Sequence, residues 1–217
     1  MSAPVPLAIY DFDGTMIPGD SIVAYLRFAF ARGYLKLPAL LGAAFSGLAS
    51  RMGLMDAGEA KRRALRFRSA LAPEAGAELD SAFAETLLTR LRPDALTRMA
   101  RDQAAGRRIV LLSASTDHYM QPLARRLGVD TLICTRLSEL PGGNCRGEAK
   151  LSRLEAWLHD TGLTPDYPGS AAYGDSASDA QVLALTGHPT LVNPSRRARR
   201  KLKDRFPIEN WPDRRDA

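Results

Sequence analysis

The stretch LAIYDFDGTMI, residues 7–17, sets a short apolar run directly against two carboxylates, Asp11 and Asp13, which are followed by Gly14 and Thr15. An apolar run bounded in this way reads as a strand buried on both faces, the kind found at the centre of a parallel sheet. The abrupt polarity after Tyr10 marks its carboxyl end, and open α/β sheets bind their ligands outside the carboxyl ends of strands.

Similar runs recur further along: RIVLLS (108–113), TLICTRL (131–137), SAAYG (170–174) and PTLVN (189–193). Helical spacing of apolar residues predicts helices over 94–105, 119–127, 148–159, 177–185 and 195–204. Strand and helix alternating in this rhythm predict an α/β chain with a doubly wound, Rossmann-like parallel sheet covered on both faces. Residues 18–88 break the rhythm. They lack strand-like alternation, repeat their apolar residues at helical spacing, and are interrupted at RGYLKLP, GLMDAG and LAPEAG. The expectation is a core of residues 1–17 and 89–217, with a helical cap of residues 18–88 mounted over the first strand's carboxyl end. The tail FPIENWPDRRDA is expected to be loosely ordered unless Trp211 docks it.

Composition excludes several classes. The chain has 217 residues, 45% hydrophobic and 25% charged, as in a globular protein with a real core. Its two cysteines, Cys134 and Cys145, form no metal-ligand pair or disulfide framework, which suits inert thiols in a reducing cytoplasm. The first residues carry no basic region followed by an apolar stretch, so no secretory signal is expected. The least polar segment is broken by Lys36 and Arg51, and its uncharged part, residues 37–50, is too short to span a membrane. Net charge is +6, which favours anionic partners. The basic run RRARRKLKDR (196–205) reads as the solvated face of a helix; no aromatic residues interleave with it, so no nucleic-acid partner is expected. Oligomeric state has no signature in the sequence.

The strand ends carry the chemistry. DFDGT follows the first, SAS (113–115) the second, Lys150 opens the helix after the third, and GDSASD (174–179) follows the fourth. In a doubly wound sheet these ends converge, gathering Asp11, Asp13, Ser113, Lys150, Asp175 and Asp179. Clustered carboxylates repel unless a cation intervenes, and a hard divalent ion such as Mg²⁺ suits oxygen ligands, with Asp11 and Asp175 as the side-chain donors. A lysine, a hydroxyl and backbone N–H groups beside such an ion make a place for phosphate. Phosphoryl transfer needs this charge neutralisation and positioning. Taken singly, Ser113 is equally well a helix cap, Lys150 a surface residue and GDSASD a turn.

DFDGT, LLSAS, Lys150 and GDSASD together resemble motifs one to four of the haloacid dehalogenase superfamily, in order and on matching elements. The helical insertion resembles the C1 cap of its phosphoserine-phosphatase-like branch, subfamily IB. The resemblance implies a Mg²⁺-dependent phosphomonoesterase working through an aspartyl-phosphate. Asp11 would be the nucleophile, and Asp13, facing the cap, the proton carrier. Metal ligands would be the Asp11 and Asp175 side chains and the Asp13 backbone carbonyl. Ser113 and the N–H of Ala114 would hold phosphoryl oxygens, Lys150 would neutralise nucleophile and phosphate, and Asp179 would fix Lys150 or a metal-bound water. Gly14 would permit a positive φ in the turn after the second aspartate, with Thr15 bonding inside that turn and Gly174 supporting the fourth motif.

Two departures bear on substrate. Phosphoserine phosphatases carry Ser-Gly-Gly where this chain has Ser113-Ala114-Ser115, and Asn where it has Ser178. Asp20 stands where they have a glutamate that reads the substrate's ammonium, and is also placed to cap the first helix. Arg62, Arg63, Arg66 and Arg68 are equal candidates to read a substrate carboxylate. The apolar segment 24–48 suits packed helices or a cap facing an anionic membrane, and subfamily IB includes phosphatases of phosphatidylglycerophosphate. The expected substrate is a small phosphorylated metabolite or a phospholipid-head phosphate. A phosphotransferase or phosphomutase, and a phospho-acceptor signalling module, are the alternative readings. His118 is expected at a helix start near the crevice, as a surface group or a substrate contact.

Overall fold

The computed structural model describes residues 3–214. The wholly buried strand β1 (Leu7–Tyr10) lies between β2 (Arg108–Thr116) and β4 (Ala171–Gly174), with β3 (Thr131–Thr135), β5 (His188–Val192) and β6 (Ile208–Glu209) outside them. The order is β3-β2-β1-β4-β5-β6 and every pairing is parallel. Tyr10 is level with Leu111 and Tyr173, so β1 and β4 end within a residue of each other while β2 runs on past them to Thr116. The chain builds outward from β1 in one direction, then in the other, which puts the topological switch between β1 and β4.

Side-chain alternation divides the core into two layers. Ala8, Tyr10, Ile109 and Leu111 pack on α6 (Pro93–Ala104) and α7 (Asp117–Leu127). Leu7, Ile9, Val110 and Leu112 pack on α8 (Glu148–Thr161), α9 (Ala180–Leu185) and α10 (Arg196–Leu202). Under β1 and β4, the buried carboxylate of Asp102 accepts bonds from the hydroxyls of Tyr10 and Tyr173 and from Arg107 Nη1.

Between β1 and α6 lie five helices: α1 (Ser21–Ala31), α2 (Leu37–Arg51), α3 (Ala57–Ala64), α4 (Arg66–Ser69) and α5 (Pro73–Leu88). The chain departs after Met16 and is tied where it returns, the Arg92 N–H donating to the Met16 carbonyl at 2.9 Å. The helical segment meets the sheet-bearing part through an aromatic cluster. Tyr25 of α1 and Phe83 of α5 surround Tyr119 of α7, with ring centroids 5.1 to 5.3 Å apart. Buried Asp80 of α5 accepts from Tyr25 Oη at 2.5 Å and from Arg68 Nη2 at 2.6 Å.

Several expectations need correction. β2 runs three residues beyond Ser113, because Ala114 and Ser115 continue the extended backbone into a register irregularity against β3. The third strand stops at Thr135, and Leu137–Glu139 turn into a 3-10 helix. The helix read over 177–185 is a 3-10 turn (Ala177–Asp179) followed by α9. The tail contributes β6, and Trp211 docks it: the indole is buried against Tyr173, and the Trp211 N–H donates to Asn193 Oδ1 at 2.9 Å. Arg215, Asp216 and Ala217 lie outside the described residues. His118 is not a surface group; its side chain is buried between Tyr25 and Tyr119 at the junction of the two parts. Among the described residues, no helix is long and apolar enough to cross a membrane.

Candidate active site

The carboxyl ends of β1 and β4 and the start of α8 meet at Asp11. Its Oδ1 accepts from Lys150 Nζ at 2.5 Å, and Lys150 bonds Asp179 Oδ1 at 2.6 Å. Thr15 Oγ1 lies 3.3 Å from Asp11 Oδ2, so Thr15 closes the turn onto the first aspartate. Burial alone lowers the Lys150 ammonium; the charges of Asp11 and Asp179 outweigh it and hold the ammonium above its ordinary range. For Asp11, burial pushes the carboxyl up, Lys150 opposes it, and Asp179 and Asp175 add to the rise.

Carboxylate oxygens of Asp11, Asp175 and Asp179 lie within 4.8 Å of one another. Burial, then the charge of Asp179, pushes the Asp175 carboxyl up to about 6. Two glycines make this crowding possible. Gly14 has φ +81, and a Cβ there would lie 2.4 Å from Asp175 Oδ2. At Gly174 a Cβ would meet Asp179 Cβ at 2.5 Å. Asp179 is further fixed by Ser176, whose N–H and hydroxyl donate to its Oδ2 at 3.1 and 2.8 Å. Lys150 bonds two of the three carboxylates, Asp11 and Asp179, and leaves Asp175 without a basic partner in the cluster. That donor set fits a hard divalent cation with oxygen ligands.

Asp13 faces the other way, into a hydroxyl network. Ser21 donates from its N–H at 2.8 Å and its hydroxyl at 3.1 Å, and Ser115 Oγ donates at 2.7 Å. Ser21 Oγ lies 2.7 Å from Ser115 Oγ and 2.8 Å from Tyr119 Oη. Burial and then Asp20 raise the Asp13 carboxyl, the serine donors oppose them, and it stands at about 6. Sequence reasoning missed Ser21, Ser115 and Tyr119. Ser115 had a usable signal, since residues two apart on a strand share a face.

Buried Ser113 lies inside β2, its Oγ accepting from the Ser115 N–H at 3.0 Å. The carbonyl of Ala114 accepts from Thr135 Oγ1 at 2.7 Å and from Lys61 Nζ at 2.5 Å; Lys61 also bonds Asn144 Oδ1 at 2.7 Å. Lys61 therefore spans from α3 to the strand end. Burial lowers its ammonium to about 8, against the pull of Asp13 and Asp20. Beside it opens a cleft of about 570 Å³, lined by Asp56 and Glu59 of α3 and by Pro141, Asn144 and Arg146.

The other sequence candidates are held by partners of their own or exposed. Arg62 and Arg63 both clamp Glu59, Arg68 is fixed on Asp80, and Arg66 is exposed. Asp20 is exposed and caps α1, accepting from the N–H groups of Ile22 at 2.8 Å and Val23 at 3.1 Å. Ser178 pairs with Ser176, hydroxyl to hydroxyl at 2.7 Å.

Comparison with known proteins bears on the family and the fold. The family model described as haloacid dehalogenase-like hydrolase matches residues 8–184. The chain is 34% identical over 197 residues to Protein CicA of Caulobacter vibrioides, covering 82% of each chain. It is 25% identical over 224 residues to a histidinol-phosphatase of Neisseria meningitidis, covering 94% of this chain and 98% of that one. Among solved structures, a Bordetella pertussis protein superposes with a TM-score of 0.84 at 25% identity, over 95% of this chain and 98% of that one. A substrate-bound phosphoserine phosphatase shares the fold with a TM-score of 0.64 at 16% identity, over 96% and 94%. Because the family model spans residues 8–184, most of the chain, the protein belongs to the haloacid dehalogenase-like hydrolase family.

Proposed function

We propose that the protein is a phosphomonoesterase that transfers the phosphoryl group of a phosphate monoester to Asp11 and then to water. The observation that carries this reading is the pairing of Asp11 with Lys150, beside a second aspartate, Asp13, held in its own hydroxyl network. Residues 18–88 act as the cap over a core of residues 1–17 and 89–217. When bound, Mg²⁺, held by the Asp11 and Asp175 side chains and the Asp13 carbonyl, would neutralise charge on the transferring phosphoryl group.

In the first half-reaction an Asp11 oxygen attacks phosphorus, the bond from phosphorus to the ester oxygen breaks, and Asp13 gives that oxygen its proton. In the second, water attacks phosphorus, Asp13 takes the water's proton, and the bond to Asp11 breaks to release phosphate. Ser113 Oγ and the Ala114 N–H hold phosphoryl oxygens, Lys150 offsets their charge, and Asp179 holds Lys150 in line. The carboxylic proton on Asp13 fits a group raised to about 6 by burial. Ser115 and Ser21 aim it. Lys61 joins the cap to the phosphate-holding strand end, and Ser178 and Asp20 line the approach.

The substrate class is a small phosphorylated metabolite or a phospholipid-head phosphate. Phosphatase-named relatives, histidinol-phosphatase among them, support the reaction type. Buried, free Cys134 and Cys145 suit a cytoplasmic setting. Acid quenching during turnover of an aryl phosphate with Mg²⁺ tests the proposal. Trapped phosphoprotein with phosphate as the released product is expected. Release without a phosphoprotein would overturn the covalent route, and transfer to an added alcohol in preference to water would assign a phosphotransferase instead.

A further inference from the structure

Helix α2 leaves one long side uncovered. Leu37, Leu41, Phe45, Leu48 and Met52 recur at helical spacing and are all exposed, Phe45 at 70%, and Leu54 follows at 75%. The opposite side, Ala43, Ser46 and Ala49, is buried, and small residues there let α2 lie close along α3. A globular protein rarely leaves so much apolar surface in one row. On α1, Val23 and Phe30 are also exposed.

Charge identifies the occupant. From residue 21 to residue 55 the sequence holds no Asp or Glu, whereas Arg27, Arg32, Lys36 and Arg51 are all present and exposed. Along α1 and α2 the apolar row is thus flanked by cations, with exposed carboxylates only at the two ends of the segment, Asp20 and Asp56. A second copy of the chain is a poor fit, because a two-fold interface sets each patch against itself and would bring the bases of one copy towards those of the other. An anionic lipid surface supplies both what the row lacks and what the rim attracts. The 15 residues of α2 extend only about 22 Å, too short to span a bilayer. The helix is suited to lie in the interface, its apolar side among acyl chains and its bases at the headgroups.

We propose that the α1–α2 face is a peripheral docking surface for anionic membranes, with Phe45 and Leu48 as its central inserting residues. It stands independently of the reaction assigned above, since Phe45 and Leu48 are exposed on α2, which supplies no residue to the candidate active site. Sedimentation with vesicles of phosphatidylcholine alone, and of phosphatidylcholine mixed equally with phosphatidylglycerol, tests it. The whole protein is expected to bind the mixed vesicles at low ionic strength, to bind neutral ones poorly, and to be released by salt. Replacing Phe45→Asp together with Leu48→Asp should lower the partition coefficient about tenfold or more, with unchanged circular dichroism and aryl phosphate turnover. No binding to mixed vesicles at low salt, binding indifferent to lipid charge, or equal binding by the variant would overturn it. So would concentration-dependent dimerisation that the variant abolishes without any vesicle binding, which would assign the face to a second copy.

Discussion

Lys61 Nζ lies 2.5 Å from the carbonyl oxygen of Ala114, so a helix of the insertion is fastened to the residue that follows Ser113. The contact joins the part that would choose the substrate to the part that would hold its phosphate. A buried ammonium on a carbonyl and on Asn144 Oδ1 is an ordered link, and breaking it leaves both acceptors short of a donor.

Lys61→Met, which keeps most of the length of the side chain and removes the charge, should therefore loosen closure of the cap. Steady-state kinetics are expected to show KM raised about tenfold with kcat changed far less, the pattern of lost binding in both ground and transition state. A fall in kcat with KM unchanged would place Lys61 in the chemical step instead.

The hydroxyl network about Asp13 makes a separate prediction. A proton donor matters most when the leaving group is poor, so Ser115→Ala should slow an alkyl phosphate by about tenfold while barely affecting an activated aryl phosphate. Asp13→Asn should show the same contrast more strongly, by about a hundredfold. Equal losses on the two esters would argue that Ser115 serves only to pack the strand end.

His118 governs a pH dependence of stability. Burial between Tyr25 and Tyr119, against the opposing charge of Asp80 and with Arg68 beyond it, lowers its imidazolium to about 4 from an ordinary 6.5. Between those values the unfolded chain binds a proton that the folded chain does not. Stability from this group is thus full above about pH 6.5 and is lost as pH falls towards 4, by on the order of 3 kcal/mol. Urea unfolding across that range should show a flatter slope for His118→Phe than for the unmodified chain. Parallel slopes would contradict the assignment.

Much of the architecture is legible in the sequence because its signals are local. LAIY, RIVLLS and SAAYG are apolar enough to be strands buried on both faces, and the polar residues after them mark their ends. Asp11, Lys150, Asp175 and Asp179 could be gathered from topology alone, since parallel strands deliver their carboxyl ends to one edge. What stayed hidden depends on long-range contacts. Lys61 is one base among several in its helix until the fold carries it to Ala114. Ser21 and Tyr119 reach Asp13 only because α1 and α7 pack together. Asp102 looks like a surface residue of a helix, yet two tyrosines and Arg107 converge on it. The apolar run RIVLLS marks the buried part of β2, whereas the strand continues through Ala114 and Ser115 and sets Ser115 beside Asp13.

The central claim is that Asp11 is the atom-accepting nucleophile, and one substitution addresses it. Asp11→Asn keeps the shape and the contact distance to Lys150 while removing the attacking charge. Phosphate release from an aryl phosphate with Mg²⁺ should fall by about three orders of magnitude or more, with the far-ultraviolet circular dichroism unchanged. Turnover retained by a folded Asp11→Asn protein would contradict the account.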